Sequence, residues 1–377
     1  MRVRVAPLQR ALAITWLLLG LVAMAGCQLV SDLHDYTFLP VANKVDLLLV
    51  VDTSRGTILA DKVELFDNAI GGLVAGLANH VDDIHVGVIS NSLGSYGADT
   101  CADTAANDHG RLLSRGTSGA QVATYRDMGF LVWDRNQTHS PPGYDDLAAL
   151  KMQLREIVVG AGSDGCGFES TLEAWYRFLV EPAPSADVKL VDGVATPTGL
   201  DTILLQQRAA FLRPDSLLMV VVLSDENDCS LRVGAQNYLA LQLYQPGGTQ
   251  PYHLPPARAA CALNPQSPCC VSCAQPSPVG CDDSGDMCYK PLTGQEDPIN
   301  LRCFDQKRRF GVDFLTPIDR YVAGLGARRV SDGVGNLRDN PIFAHGRDPH
   351  LVIYGSIIGV PWQDLARRND SGEPNIE

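Results

Sequence analysis

Two short apolar runs, each stopped by an aspartate, constrain this chain more than any other feature. Residues 45–51 read Val-Asp-Leu-Leu-Leu-Val-Val and end at Asp52, and residues 217–223 read Leu-Leu-Met-Val-Val-Val-Leu and end at Ser224-Asp225. Near-continuous apolar runs of this length fit strands buried on both faces, as in a parallel sheet covered by helices. After the first run, Val63, Phe66, Ile70, Val74 and Leu77 fall at spacings of 3, 4, 4 and 3, which predicts a helix over 61–78 with one apolar face. Ile84, Val86, Val88 and Ile89 predict a second strand over 84–90. Strand, helix and strand in about 45 residues make a βαβ unit.

The pattern continues less regularly. Residues 91–120, rich in Gly, Ser, Asp and Thr, read as a loop, 130–133 as a short strand, and 144–159, 169–179 and 201–211 as helices. Thr316-Pro317 predicts an N-cap followed by proline at the first helical position, with the helix running to 324. A last strand is expected over 351–358. The fold class is therefore α/β: a doubly wound, mostly parallel, Rossmann-like sheet over 44–360. Residues 234–310 interrupt it with Pro, Gly, Gln and Ser, and seven of the eleven cysteines fall between 261 and 303. Such a segment offers little apolar core, so disulfides are expected to hold it.

The N-terminus explains the odd cysteine. Arg2, Arg4 and Arg10 precede and bound an apolar stretch over 11–24 that is shorter than a membrane span, followed by Ala25-Gly26-Cys27. Met24-Ala25-Gly26-Cys27 resembles a lipobox, which implies cleavage of 1–26, lipidation of Cys27 and a short tether over 27–43. Gln28 after the cysteine favours the outer membrane of the cell envelope. Ten cysteines then remain, an even set able to form five disulfides in an oxidising compartment: Cys101, Cys166, Cys229, Cys261, Cys269, Cys270, Cys273, Cys281, Cys288 and Cys303. Three arginines leave with the signal, so 43 acids face 27 bases. An acidic chain without basic blocks argues against nucleic acid as a partner. A polar tail is expected over 361–377.

Asp52 and Asp225 occupy equivalent places, each ending an apolar strand at the edge where open parallel sheets bind ligands. Asp52-Thr53-Ser54-Arg55-Gly56-Thr57 and Ser224-Asp225-Glu226-Asn227-Asp228 offer the hard oxygen donors that suit Mg²⁺, Mn²⁺ or Ca²⁺. With these residues the chain resembles the von Willebrand factor A family. That resemblance implies a metal-ion-dependent adhesion site, in which a D-x-S-x-S loop, a threonine loop and a late aspartate hold a cation that an acidic side chain of a protein ligand completes. Asp52 and Ser54 take the first two motif positions and Asp225 the late one. Gly56 replaces the second serine, with Thr57 beside it as a hydroxyl donor. In the loop 165–172 Cys166 falls near the threonine position, with Glu169 and Ser170 as substitutes. Segments 165–169 and 224–230 also resemble those of cysteine-bearing A-domain lipoproteins of Gram-negative bacteria, which implies that Cys101, Cys166 and Cys229 form disulfides near the ligand edge.

The expectation is thus an envelope-anchored binding or adhesion lipoprotein and not an enzyme. Its alternatives are a scaffold of the same fold with a structural or envelope-assembly role and no metal, and a cysteine- or metal-dependent hydrolase. G-x-S-x-G, H-E-x-x-H and G-x-x-x-x-G-K-[ST] are all missing from the sequence. For the hydrolase, Cys166 as nucleophile and the cluster His345, Asp348 and His350 are the candidates. Cys270-Val271-Ser272-Cys273 lacks the second C-x-x-C of a zinc knuckle, and disulfides are expected there.

Overall fold

The computed structural model describes residues 43–54, 64, 69–101, 107–333 and 335–358. The signal and tether over 1–43, Cys27, Arg55, Gly56, Thr57 and the tail over 361–377 lie outside these residues, apart from position 43 itself. In chain order the first elements are β1 (Lys44–Val51), α1 (Gly71–His80), β2 (Asp83–Ser90), β3 (Phe130–Asp134), α2 (Leu147–Gly160), α3 (Thr171–Leu179), β4 (Asp187–Val191) and β5 (Val194–Thr198). Then follow α4 (Thr202–Phe211), β6 (Leu217–Ser224), the short helices α5 (Ala260–Leu263) and α6 (Gln306–Phe310), α7 (Ile318–Gly326), β7 (Arg329–Ser331), β8 (Leu337–Asp339) and β9 (Val352–Ile358).

Both apolar runs lie side by side at the centre of one sheet. The strand order is β3-β2-β1-β6-β9, parallel throughout except for β3, which runs antiparallel to β2. Val51 pairs with Leu223, so Asp52 and Ser224 emerge together at the C-terminal edge. Side chains of β1 alternate between two cores. Leu48 and Val50 pack with Trp175, Phe178 and Phe211 of α3 and α4, while Leu47, Leu49 and Val51 pack with Val74 of α1 and Leu150, Leu154 and Ile157 of α2. Helices therefore cover both faces, the doubly wound arrangement expected of such runs. Each Leu or Val so buried contributes about 1.5–3 kcal/mol relative to exposure.

The apolar pattern gives no account of Asp46, which is fully buried in β1. Its carboxylate accepts hydrogen bonds from the backbone and side chain of Arg213 and from Ser216, with Arg347 at 3.5 Å, so the charge is compensated at the N-terminal end of the sheet.

Several boundaries differ from the sequence reading for local reasons. Asp201 caps α4 through Leu204 N–H, so the helix begins one residue after it. Pro317 has ψ 139° and lies before the first turn, so α7 starts at Ile318 and continues to Gly326. Two hairpins were not expected, β4–β5 and β7–β8. The first turns through Asp192 and Gly193 at φ 49° and 76°, the left-handed pair that a two-residue hairpin turn requires.

All ten cysteines after Cys27 pair: 101–166, 229–303, 261–270, 269–281 and 273–288. Disulfides are not the insertion's sole support. Leu241, Leu254 and Phe310 join the core beside α3. Arg302, 2% exposed, forms an ion pair with Asp297 and donates to the carbonyls of Gln242 and Tyr252. Among the described residues no helix is long and apolar enough to cross a membrane.

Candidate functional site

At the C-terminal edge of the central strands four loops are laced together. Asp52 N–H donates to Leu223 O at 2.9 Å, extending the β1–β6 ladder by one residue. The Asp52 carboxylate, 1% exposed, then accepts from Ser54 N–H at 2.8 Å through one oxygen and from Ser224 Oγ at 2.5 Å through the other. Thr53 N–H and Oγ1 both donate to Asn91 Oδ1, at 3.1 and 3.2 Å, tying this loop to the end of β2. The loop before α3 closes over the same point, with Gly165 N–H on Thr53 O and Ser170 N–H on Asn91 O. A Cβ at Gly165 would lie 2.1 Å from Thr53 Oγ1, so glycine is required for that approach. The 101–166 disulfide fastens the loop after β2 to the loop before α3, and Cys229 N–H donates to Glu169 O at 2.7 Å.

These contacts sort the expected ligands. Asp52, Ser54 and Glu169 are buried within the loops that meet here, and Asp225 stands exposed on the loop after β6. Ser170 is turned inward, its hydroxyl donating to Cys229 O at 3.4 Å and accepting from Tyr96 at 3.3 Å. Cys166 is fully buried and disulfide-bonded, so it has no thiol to act as ligand or nucleophile. His350 pairs locally with Asp348 at 2.8 Å on an exposed turn, and Cys270 and Cys273 bond to Cys261 and Cys288 and not to each other.

Asn91, unmarked in the sequence pattern, completes the site together with Glu226 and Asp228 of the acidic segment after β6. Asn91 bridges Thr53 and Thr171, the first residue of α3, through its amide. Asp228 accepts from Leu172 N–H at 2.9 Å and Ser230 Oγ from Glu173 N–H at 2.9 Å, so the loop after β6 caps α3 from across the sheet edge. Glu226 joins the acidic group.

Electrostatics are the most distinctive property of this edge. Burial pushes the Glu169 carboxyl up to about 8, its own backbone N–H offsets part of this, and the carboxylates of Asp52, Glu226 and Asp225 raise it further. Glu226 is raised by partial burial and then by Asp225 and Asp52. No Lys or Arg among the described residues forms an ion pair with Glu169 or Glu226. Four acidic side chains thus share one edge, and Glu169 among them is held well above the usual carboxylate range. Beside it a cleft of about 860 Å³ is lined by Tyr96, Glu173, Arg177 and Arg320 among others. Its charges are matched internally, Glu173 with Arg320 and Tyr321, and Arg177 with Asp201.

Among the described residues, one group of three His, Cys, Asp or Glu side chains brings its ligand atoms within 4.8 Å of one another: Asp83, His85 and His139. It lies at the opposite end of β2, not at the acidic edge. The signal in the sequence was Asp83-Ile84-His85, two potential ligands on one face of a strand. Their histidine partner is more than fifty residues away, so the set could not be read from spacing. No family model, curated protein or solved structure matches the chain.

Proposed function

We propose that this chain is a binding module of the von Willebrand factor A type, tethered to the cell envelope through a lipid on Cys27, in the outer membrane. It engages an acidic group of a protein ligand through a divalent cation at the C-terminal edge of its sheet. The observation that carries this reading is the meeting of Asp52, Glu169, Asp225 and Glu226 at the edge where the adjacent parallel strands β1 and β6 end. Carboxylates gathered at one edge are relieved by a cation, and the donors here are the hard oxygens that Mg²⁺, Mn²⁺ and Ca²⁺ prefer. The sheet supports it as well, because Asp52-Thr53-Ser54 and Ser224-Asp225 follow adjacent parallel strands with helices on both faces.

Asp52, Ser54, Asp225 and Glu169 would hold the ion, with Thr57 as a further hydroxyl donor from outside the described residues. The cation supplies one open coordination position to a carboxylate of the partner. The laced loops keep the donors in place, and the 101–166 and 229–303 disulfides limit their spread. A chain with 43 acids against 27 bases repels an acidic partner unless that charge is met locally, so recognition depends on the cation. The reading assigns no catalysis to the chain.

The engagement of both Asp52 oxygens by Ser54 and Ser224 favours a second reading, an inert scaffold with a structural role in the envelope. Calorimetric titration of the chain with Mg²⁺, Mn²⁺ and Ca²⁺ separates the two. One bound equivalent, weakened roughly tenfold or more by Asp52→Asn as expected for loss of a metal contact, supports the cation site. The absence of saturable binding of all three ions would favour the scaffold.

A further inference from the structure

The cluster at the other end of the sheet carries a separate inference. Asp83 and His85 project from one face of β2, and His139 reaches them from the loop after β3. That loop is a built structure. Asp134, the buried last residue of β3, accepts from Thr138 N–H, His139 N–H and Gly143 N–H at 2.8, 3.0 and 3.2 Å, which turns the chain so that His139 faces β2.

His85 is 4% exposed, and its Nδ1 lies 2.8 Å from Phe211 O. A carbonyl only accepts, so Nδ1 carries the proton and Nε2 bears a lone pair. Nε2 is buried without a hydrogen-bond partner. A buried imidazole fixed by a backbone carbonyl on one nitrogen, with its other lone pair unmet, has the second-sphere arrangement of a metal-ligating histidine. The remaining donors are positioned similarly. Arg213 holds Asp83 Oδ1, while Oδ2 lies 3.1 Å from His139 Nε2. Phe130 lies against His85 in a tilted pair at 4.6 Å between ring centroids, and Tyr125 meets His139 edge-on at 5.8 Å, giving the group an aromatic rim.

We propose that Asp83, His85 and His139 form a binding site for a divalent transition metal, with zinc the ion they suit best. Two imidazoles and one carboxylate are donors that Zn²⁺ accepts and that Mg²⁺ and Ca²⁺ do not favour. Tetrahedral zinc with arms of about 2.0–2.1 Å places its ligands about 3.3 Å apart. The Asp83–His139 pair is already close to that separation, and the remaining approach falls to the loop carrying His139. The side chains of Asp83 and His139 are 17% and 21% exposed, so solvent reaches the cluster and supplies the fourth ligand. Arg213 stands against the site electrostatically, but Asp46 shares its charge. Bound zinc pins the loop after β3 to β2. This site is independent of the acidic edge, since β2 puts roughly 20 Å between His85 and Asn91.

The test is zinc binding by the full chain folded in an oxidising compartment, stripped with chelator and measured by equilibrium dialysis with metal analysis. Ten cysteines are held in disulfides and do not compete for the ion. One equivalent of Zn²⁺ is expected, with affinity lowered roughly tenfold or more by His139→Ala and by Asp83→Asn. His139 lies on a loop, so its replacement leaves the core intact where His85→Ala disturbs it. Asp52→Asn leaves the zinc equivalent unchanged whether or not the acidic edge binds a cation. Failure of the parent chain to take up one equivalent, or unaltered affinity in His139→Ala, overturns the assignment.

Discussion

Replacing Glu169 by glutamine removes the one carboxyl at the acidic edge that the fold holds protonated, and the consequence can be worked out. Its pKa rises from 4.5 in the ordinary state to about 8 in the folded chain, through burial and then the neighbouring Asp52, Glu226 and Asp225. The folded state therefore binds the proton more tightly than the unfolded state. The stability this contributes is fully present below about pH 4.5 and is lost as pH rises through about 8. Between about pH 5.5 and about pH 7.5 the native state carries nearly one extra proton, so stability falls by roughly 1 kcal/mol per pH unit, on the order of 2 kcal/mol across the window. Glutamine keeps the shape and stays neutral, and Glu169→Gln abolishes this part of the slope. His85, whose pKa burial and Arg213 lower to about 4, slopes the opposite way where the unfolded imidazole protonates. It is common to both proteins, so their difference isolates Glu169. Urea unfolding followed by tryptophan fluorescence, in chelator and at several pH values, gives the two curves. Glu169→Gln should gain on the parent as pH rises. Parallel curves would refute a protonated Glu169 and the electrostatic argument built on it.

Two further perturbations bear on the frame that holds the site. Asp46→Ala strands Arg213 and Arg347 without their shared carboxylate inside the sheet, and urea unfolding should show a loss of about 3–5 kcal/mol. Replacing Cys101 and Cys166 together by serine opens a cross-link of sequence separation 65; chain entropy then predicts a stability loss of up to about 4 kcal/mol, again read by urea unfolding.

Much of the fold was legible because apolar runs report strands buried on both faces. Residues 45–51 and 217–223 became neighbouring parallel strands, and the aspartates after them reached one edge. The helix face of α2 and the strand 130–133 followed from pattern in the same way. What escaped was chemistry that spacing does not encode. Asp46 sits within an apolar run and is tolerated only because Arg213 and Arg347 arrive from distant segments. The β4–β5 hairpin is signalled by Asp192-Gly193 between apolar residues, a turn signature in the stretch between the helices expected over 169–179 and 201–211, for which the apolar pattern assigns no element. Thr171 was passed over in favour of Cys166, and only the contacts of Asn91 and the 101–166 disulfide show which of the two is tied into the loops as a hydroxyl. The inward turn of Ser170 depends on Tyr96 and Cys229 in the same manner.

Cation binding at the acidic edge must displace the Glu169 proton, and that displacement tests the central claim most directly. Titration calorimetry with Mn²⁺ or Mg²⁺, repeated near pH 7 in buffers of different ionisation enthalpy, counts the protons released. With its pKa raised to about 8, Glu169 is mostly protonated there. The account predicts one saturable site that releases a proton in the parent chain, with that release lost in Glu169→Gln. Saturable binding with no proton release, or no binding at any accessible concentration, would contradict it.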